Sequence, residues 1–321
     1  MDTGVSMKNC AIIIPAFNAA ATIVETLQAL QQCPRLNEIA TVIILDDSST
    51  DKTLSIAKAA WTSNTPLAIW PNESNIGERR TVNRAFEKLS NNTTWTFILH
   101  ADDVVKPNWL SLYFEAIKSQ GENTASICSS YDSWWSDTGQ IDPGQDEVDD
   151  SARVISGNSD SVRGTMDRGC WWHISGCAIR NSAFGIIGPF IPDMPQLGDW
   201  EWLLRCHAKG FDIAYIPRTT MRYRQHAKSI SSNSFREGRD LIERLRIFKM
   251  LLMQGHLNRS SYMKKMRTLF GQAARRMGTR LLRRDWRGVQ SHLKVLTLAG
   301  KAMSSSDPIL HGQSVTGGRS S

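Results

Sequence analysis

The chain lacks the long hydrophobic runs that a membrane-spanning protein needs. Its longest apolar stretches, residues 11–17 and 42–45, are far shorter than the roughly 20 residues that cross a bilayer. The first nine residues show no basic segment followed by an apolar core, which is the pattern of a secretory signal, and Met7 offers an alternative start. These absences predict a protein without a transmembrane segment that stays in the cytoplasm.

Paired cysteines and two familiar nucleotide-binding motifs are also missing. The six cysteines are scattered without a C-x-x-C pair, which argues against a zinc module or a disulfide framework and favours small buried residues. Neither G-x-G-x-x-G nor G-x-x-x-x-G-K-[ST] occurs. A classical dinucleotide fold and a P-loop are therefore excluded as explanations of the polar strand ends described below.

Acidic charge is scarce in one part of the chain only. The net charge is +7 over 321 residues. Residues 236–301 hold seventeen basic and four acidic side chains, whereas residues 1–235 hold twenty and twenty-six. The length suits one large α/β domain with an appendage, and the basic character belongs to that appendage.

Four short apolar runs alternate with helical patterns in the first third of the chain. Residues 10–15, 42–45, 67–70 and 96–99 are typical of strands buried on both faces. Their alternation with helices predicts an α/β fold with a mainly parallel sheet covered on both sides. Ligands bind at the carboxyl ends of the strands in such sheets.

Carboxylates follow two of these runs, as Asp46-Asp47 and Asp102-Asp103. Adjacent carboxylates repel each other, and a hard divalent cation is the usual partner that makes such a site stable. A solvated acidic turn before a helix is the alternative interpretation of the second pair, because the helix dipole would favour the negative charge.

Further along, residues 125–131 are predicted to form another strand. Residues 132–169 are rich in Ser, Asp and Gly and are predicted to form a mobile surface loop. Residues 212–216 and 221–224 are predicted to be two closing strands, and residues 236–299 to be helical.

Six motifs in a fixed order resemble the inverting family 2 glycosyltransferases. They are Pro15-Ala16-Phe17-Asn18, Asp46-Asp47-Ser48-Ser49-Thr50-Asp51, Asn75-x-Gly77 with Asn83, Asp102-Asp103, Gly198-Asp199-Trp200-Glu201 with Arg205, and Tyr223-Arg224-Gln225-His226. The resemblance covers about residues 8–231. It implies a GT-A fold, a Rossmann-like and mainly parallel central sheet flanked by helices, followed by a basic α-helical extension at 236–301 and a disordered tail at 302–321.

The resemblance also implies a nucleotide-sugar site and a metal site. It assigns to the nucleotide sugar Pro15, Phe17, Asn18, Asp47, Gly77, Arg79, Arg80, Asn83, His100, Ala101 and Asp102. Within that set Asp47 would accept the N3–H of a uracil, and Gly77 would let the backbone approach the nucleotide. Asp102 and His226 would hold Mn²⁺ or Mg²⁺ against the diphosphate.

Asp199 matches the catalytic base of the family, and Trp172, Trp200 and Glu201 are candidate acceptor contacts. Indole faces suit the C–H faces of sugars, but core packing is the alternative interpretation for each tryptophan. The implied reaction moves a sugar from a nucleotide sugar, with a UDP-sugar favoured, to a hydroxyl of a glycan or lipid-linked acceptor with inversion. Surface or extracellular polysaccharide synthesis is the implied setting.

Three positions depart from the family pattern. His100 stands where an Asp is usual, Gly198 where a Glu is usual, and Val82 where an Arg is usual, although Arg79 or Arg80 would compensate for the last. These departures leave open a catalytically weak protein that binds a sugar nucleotide or a glycan on the same fold. Nucleic-acid binding is not expected, because the basic segment lacks interleaved aromatic platforms.

The basic C-terminal segment carries one further pattern. Six arginines recur with Leu281, Leu282 and Trp286 at helical spacing, which resembles an amphipathic helix lying on an anionic membrane surface. The alternative is a solvated basic face on a helix that packs against the catalytic domain. The six are Arg275, Arg276, Arg280, Arg283, Arg284 and Arg287.

Overall fold

The computed structural model describes residues 7–89, 92–225 and 230–304, and the chain divides into two compact units, Met1–Ala227 and Lys228–Ser321. The strands are β1 (Cys10–Ala16), β2 (Thr41–Asp46), β3 (Leu67–Pro71), β4 (Trp95–Ile98), β5 (Val104–Val105), β6 (Thr124–Trp135), β7 (Gln140–Asp142), β8 (Arg153–Ile155), β9 (Ala178–Arg180) and β10 (Asp212–Gln225). The helices are α1 (Ile23–Gln31), α2 (Thr53–Ala60), α3 (Glu78–Leu89), α4 (Trp109–Ser119), α5 (Ser159–Arg168), α6 (Asn181–Ile187), α7 (Gly198–Ala208), α8 (Ile230–Glu237), α9 (Arg239–Met253), α10 (Arg259–Leu282) and α11 (Trp286–Met303).

The first unit is built on one sheet with the order β3-β2-β1-β4-β9-β6-β10-β5, to which β7 adds beside β6 and β8 beside β10. Strands β3, β2, β1 and β4 run parallel, as do β6 and β10, whereas β9 runs antiparallel between β4 and β6. The predicted α/β fold with a mainly parallel Rossmann-like sheet is confirmed.

Helices cover both faces of this sheet because its central strands are apolar on both sides. Ile12 and Ile14 of β1 face one hydrophobic cluster, which holds Trp109 of α4 and residues of α1. Ile13, between them, faces a second cluster that includes residues of α3, α6 and α7. Side chains alternate between faces along a strand, so a continuous apolar run places β1 between two cores.

The prediction of a surface loop at residues 132–169 was right about exposure and wrong about local structure. Most residues of 137–160 are exposed, but the segment contains the end of β6, all of β7 and β8, and the helix α5, which begins after the Asn158 cap. Two of its acidic residues accept from other segments: Asp132 pairs with Lys106 at 2.9 Å, and Asp146 accepts from the backbone of Thr219. The polar composition indicated solvent exposure but carried no signal for the short strands and the helix.

The two predicted closing strands form one long strand, β10. Its pairing with β6 shifts register at three points, between 212 and 213, 216 and 219, and 219 and 222. Pro217 lies at one of these shifts, which is where a strand tolerates a residue that has no N–H to donate. The strand therefore continues through residues 217–220, which separate the two predicted strands.

The second unit is helical, as predicted for residues 236–299. Its helices α9, α10 and α11 bury Leu241, Met266 and Val295 among other side chains, and Arg276 of α10 pairs with the buried Asp240 of α9. The expected amphipathic helix is not continuous, because α10 ends at Leu282 and α11 begins at Trp286. The start of the predicted disordered tail at 302–321 is corrected, because α11 continues to Met303 and buries Ala302, and residues from 305 onward lie outside the described residues. Within the described ranges, no helix combines the length and apolar character that crossing a bilayer requires.

Candidate functional site

The carboxyl ends of β1, β2 and β4 meet at one edge of the sheet, because these strands are parallel neighbours. Pro15 is buried within β1, and Phe17 follows that strand with 49% of its surface exposed. An exposed aromatic ring at this edge is suited to stacking on a planar base. The structure thus places Phe17 where the family resemblance expects a nucleotide.

Asn18 fixes the turn after β1 by bonding to the loop after β2. It adopts a left-handed conformation with φ 50°, which asparagine tolerates better than most residues. Its Oδ1 accepts from the backbone N–H of Thr50 at 2.8 Å and of Asp51 at 3.3 Å, and its own N–H donates to Ser49 Oγ at 3.0 Å. The two predicted motifs therefore form one connected loop structure.

Asp47 organises the segment that leads into α3. Its Oδ1 accepts from Asn72 Nδ2 and from the Ile76 N–H, both at 2.9 Å, and from Thr81 Oγ1 at 3.1 Å. Among the residues that the structure describes, its Oδ2 accepts from the Gly77 N–H alone, at 2.8 Å, so it has capacity for one further donor. Gly77 has φ +87° and open space where a Cβ would lie, which leaves its backbone accessible to a ligand.

Three predicted side chains of α3 have different surroundings. Asn83 Nδ2 donates to the Phe190 carbonyl at 2.8 Å, and its Oδ1 accepts from the Phe190 N–H at 2.9 Å. Its amide therefore fixes the backbone at Phe190 rather than lining an open pocket. Arg80 is half exposed and pairs with Asp193 at 3.3 Å. Arg79 is buried, and its guanidinium lies over the Phe190 ring. A Cβ atom added at Gly198 would lie 3.3 Å from Arg79 Nε. The absence of a side chain at residue 198 makes room for this guanidinium.

A candidate metal site follows β4. His100, Asp102 and Asp103 each offer one ligand atom, and these three atoms lie within 4.8 Å of one another. Asp103 is fully buried; its Oδ1 accepts from the Arg224 N–H at 2.9 Å, and its Oδ2 has no hydrogen-bond partner in the described part of the chain. Burial and the neighbouring Asp102 raise the pKa of Asp103 above its usual range. A divalent cation would relieve both effects, so these residues fit a metal.

Glu78, which the sequence argument did not single out, is the partner of His100. Its Oε1 lies 3.3 Å from His100 Nε2 and 3.3 Å from Arg79 Nη1. Burial disfavours the imidazolium, but the nearby negative charges of Glu78, Asp103 and Asp102 together outweigh it and raise the pKa of His100. The one sequence signal for Glu78 is its place directly after Gly77, in the first turn of α3.

Aromatic rings and Arg224 lie around the candidate metal site. His173 contacts the rings of Tyr223 and Tyr131, with centroids 4.4 and 5.1 Å away, and its own pKa is lowered, chiefly by burial. Arg224 Nε donates to the Asp102 carbonyl at 2.7 Å, and its guanidinium also pairs with Glu25. The Ala101 carbonyl accepts from Thr22 Oγ1 at 2.9 Å, which further fixes this turn.

Asp199 lies in the first turn of α7, half buried, and its Oδ1 accepts from the Trp200 N–H at 2.8 Å. The positive end of the helix dipole favours a carboxylate there. His173 interacts electrostatically with both His100 and Asp199. The predicted base is therefore in the same neighbourhood as the predicted metal site.

Comparison with known proteins agrees with this geometry. The family model described as glycosyl transferase family 2 matches residues 11–170. The chain belongs to this family. No curated protein sequence matches it at a significant level.

Solved glycosyltransferase structures share the fold. S. aureus TarS 1-349 in complex with UDP is 16% identical, with a TM-score of 0.57 over 94% of this chain and 86% of that one. A longer S. aureus TarS structure has a TM-score of 0.56 and 16% identity over 80% of this chain, which spans only 42% of its length. The mannosyltransferase PcManGT from Pyrobaculum calidifontis, in complex with GDP-Man and Mn²⁺, has a TM-score of 0.51 and 15% identity over 92% of this chain and 86% of that one.

The predicted acceptor contacts are corrected by their burial. Trp172 is 1% exposed and stacks on Trp202 with centroids 5.2 Å apart, which is the core packing considered as the alternative. Trp200 is 4% exposed, and its indole N–H donates to the Thr165 carbonyl. Glu201 is 1% exposed and forms a bidentate pair with Arg205, each bond 2.8 Å long. An acceptor sugar has no access to these side chains in this structure.

His226, the second predicted metal ligand, lies outside the described residues. The strand that precedes it, β10, ends at Gln225.

Proposed function

We propose that the protein is a metal-dependent inverting glycosyltransferase that transfers a sugar from a nucleotide sugar, most naturally a UDP-sugar, to a hydroxyl of a glycan or lipid-linked acceptor. The observation that carries this proposal is the convergence of His100, Asp102 and Asp103 at the carboxyl end of β4, with a buried and unpaired carboxylate oxygen. We further propose a role in the synthesis of surface or extracellular polysaccharide, at the inner face of the cell membrane.

His100, Asp102 and Asp103 would hold Mn²⁺ or Mg²⁺. When bound, such a cation supplies a Lewis acid that offsets the negative charge of the departing diphosphate. Arg224 would hold this turn in place, because its Nε donates to the Asp102 carbonyl and its backbone N–H donates to Asp103 Oδ1. Mn²⁺ is present with GDP-Man in the PcManGT structure, which supports the same class of ion here.

The nucleotide would be held at the ends of β1 and β2. The exposed ring of Phe17 stacks on the base, and the free lone pair of Asp47 Oδ2 accepts one base N–H. The exposed backbone at Gly77 allows the ribose or diphosphate to approach closely. A UDP-sugar suits this arrangement because uracil offers one imide N–H, and UDP is bound in the TarS 1-349 structure.

Asp199 would take the proton of the acceptor hydroxyl as that oxygen attacks the anomeric carbon from the face opposite the diphosphate. A single displacement of this kind inverts the anomeric centre and needs no covalent enzyme intermediate. Glu201 does not compete for this role, because its carboxylate is buried and fully paired with Arg205.

The decisive experiment offers the full chain a panel of UDP- and GDP-sugars with Mn²⁺ and measures nucleoside diphosphate release with and without glycan and lipid-linked acceptors. We expect release with at least one UDP-sugar, and loss of that release when the metal is chelated. Tight nucleotide binding without release or transfer for any donor and acceptor would instead favour a binding protein on the same fold.

We predict that Asp199→Asn lowers the transfer rate by about 10²- to 10⁴-fold, because the nearly isosteric amide cannot accept the proton. Donor affinity, measured by calorimetry, should stay near that of the wild type. The exposed Asp142, in β7, provides the control as Asp142→Asn, which should transfer normally. A wild-type rate for Asp199→Asn would exclude Asp199 as the base.

A further inference from the structure

The turn between α10 and α11 exposes large apolar side chains to solvent. Leu281 is 52% exposed, Leu282 is 89% exposed and Trp286 is 63% exposed. We call residues 281–287 the tip. Three large apolar side chains within six residues form a local patch, unlike the single exposed apolar residues that are normal on protein surfaces.

The same tip is basic. Arg283, Arg284 and Arg287 are exposed, and Asp285 is the one acidic residue among them. Asp285 is engaged within the second unit, because its Oδ1 accepts from the Gly288 N–H at 3.0 Å as the cap of α11 and its Oδ2 lies 3.7 Å from Arg280. The three arginines therefore dominate the charge that the tip presents.

The tip has a defined conformation. The Arg284 N–H donates to the Leu281 carbonyl at 3.0 Å, and the Asp285 N–H donates to the Arg280 carbonyl at 2.9 Å. The apolar stripe of α10 is used elsewhere, since Met266, Leu269 and Ala273 are buried within the helical unit. The exposed leucines and tryptophan are thus surplus to the core of this unit and are held in place by a hydrogen-bonded turn.

We propose that the tip docks on an anionic lipid bilayer, with Leu282 and Trp286 entering the interfacial region and the arginines contacting lipid phosphates. Tryptophan favours the membrane–water interface, where its apolar ring and polar N–H are both accommodated. Each arginine near an anionic surface strengthens partitioning about fivefold, so the three together contribute on the order of 100-fold. A second copy of the chain is a poorer occupant, because two basic tips would repel each other.

This docking surface differs from an amphipathic helix lying flat on the bilayer. The helix α10 ends at residue 282, and residues 283–285 form a turn that still belongs to the arginine-rich segment. The proposed contact is therefore made by a turn and not by the side of a helix. The inference is independent of the transfer reaction, since the tip belongs to the second unit and its test measures lipid binding alone.

The test is co-sedimentation of the full chain with vesicles of phosphatidylcholine alone and of phosphatidylcholine mixed with phosphatidylglycerol. We expect binding to the anionic vesicles only, and release at about 1 M salt, where the Debye length falls to about 3 Å. The variant Arg283→Gln/Arg284→Gln/Arg287→Gln should bind on the order of 100-fold more weakly.

A matched charge control separates the tip from the general basicity of the unit. Arg259, Lys264 and Arg267 are exposed near the opposite end of α10, which spans about 36 Å over its 24 residues. The variant Arg259→Gln/Lys264→Gln/Arg267→Gln changes the net charge by the same amount and should bind like the wild type. Equal weakening in both triple variants would overturn the proposal, because binding would then follow net charge and not the tip.

The apolar part has its own pair of variants. Leu282→Ser/Trp286→Ser should weaken binding by at least about tenfold, whereas Met253→Ser/Leu293→Ser, at exposed apolar positions outside the tip, should not. Lipids brominated in the acyl chain should quench the tryptophan fluorescence of the wild type more than that of Trp286→Phe. The phenylalanine keeps an apolar ring at residue 286, so the comparison isolates the fluorescence of Trp286. Matching circular dichroism spectra establish that the variants fold.

Further results would overturn the proposal. They include equal binding to neutral and anionic vesicles, no binding by the wild type, and the same quenching of the wild type and of Trp286→Phe. A sedimentation coefficient that falls to the monomer value only in the tip variants would identify a second copy of the chain as the occupant and overturn it as well.

Discussion

His100 changes the charge balance of the metal site. Where the family pattern has a third carboxylate, this chain has an imidazole that pairs with Glu78 at 3.3 Å. A neutral imidazole would be a ligand for Mn²⁺, whereas the charge of Glu78 favours the imidazolium in the structure described here. Binding of a cation would therefore compete with the proton on His100, and Asp102 and Asp103 would supply the hard oxygen ligands in either case.

Asp102 gives the most direct test of that site. We predict that in Asp102→Ala the gain in UDP affinity caused by Mn²⁺ falls by more than about tenfold, or 1.4 kcal/mol, because one hard ligand is lost. Calorimetric titration with UDP, with and without Mn²⁺, measures the gain. Asp142→Ala is the control at an exposed acidic position. A metal-dependent gain that survives in Asp102→Ala would remove Asp102 from the ligand set.

Phe17 tests the nucleotide end of the same site. Stacking of a base on an aromatic ring contributes roughly 1–3 kcal/mol in nucleic-acid-binding proteins, so Phe17→Ala should weaken UDP binding by about 5- to 150-fold. The affinity is measured by calorimetry in the presence of Mn²⁺. Phe270→Ala removes a partly exposed ring from the second unit and should leave UDP affinity unchanged. An unchanged affinity in Phe17→Ala would place the base elsewhere.

At the scale of an element, α7 carries the proposed base in its first turn and structural contacts in the rest of the helix. Asp199 lies in its first turn, where the dipole favours a carboxylate, and the Glu201–Arg205 pair fixes its middle. His207, near its end, is fully buried, and neither ring nitrogen has a hydrogen-bond partner in the described ranges. Burial lowers the pKa of His207 because the charged ring would be desolvated.

The buried His207 predicts a loss of stability in acid. In the unfolded chain the His207 ring has a pKa of about 6.5 and binds a proton below that pH, whereas burial disfavours the protonated ring in the folded protein. The free energy of unfolding is therefore highest above that pH and decreases as the pH falls through it. Between about pH 7.5 and about pH 5.5 one such group lowers the free energy of unfolding by at most about 1.4 kcal/mol. Urea titrations at both pH values should show a smaller loss for His207→Leu.

His256, half buried in the loop after α9, provides the control for that comparison. Urea titrations of His256→Leu at the same two pH values control for the removal of any one histidine. If His207→Leu and the wild type lose the same free energy of unfolding between the two pH values, His207 is not the group that titrates.

At the scale of the whole molecule, charge and chemistry fall on different units. The residues of the candidate nucleotide and metal sites that the structure describes belong to Met1–Ala227, and both large hydrophobic clusters contain residues of that unit alone. The basic surplus of residues 236–301 belongs to Lys228–Ser321. Donor binding and lipid binding should therefore be separable by truncation.

We predict that a chain ending at Ala227 keeps its UDP affinity within about tenfold of the full chain, or 1.4 kcal/mol. It should lose its binding to anionic vesicles, because the tip is removed. Calorimetry and co-sedimentation on the same preparation check both expectations. Retained vesicle binding by the truncated chain would place the lipid contact in the first unit.

The sequence alone determined the fold class, the central strands and the sheet edge at which the polar residues gather. These follow from local patterns, since a short run that is apolar at every position and bounded by turn residues is typical of a strand buried on both faces. The resemblance to the family implied that Asn18, Asp47, Gly77, Asp102 and Asp199 would matter, and the structure gives each a defined place.

Only the tertiary structure decided which polar residues are partners and which aromatic residues are exposed. Glu78 and His100 are 22 positions apart, and their pairing depends on α3 approaching the end of β4. The tryptophans at 172 and 200 resemble sugar platforms in sequence, yet they are buried because facing elements cover them. Burial and partner choice depend on contacts between distant segments, and periodicity within a single segment carries no information about those contacts.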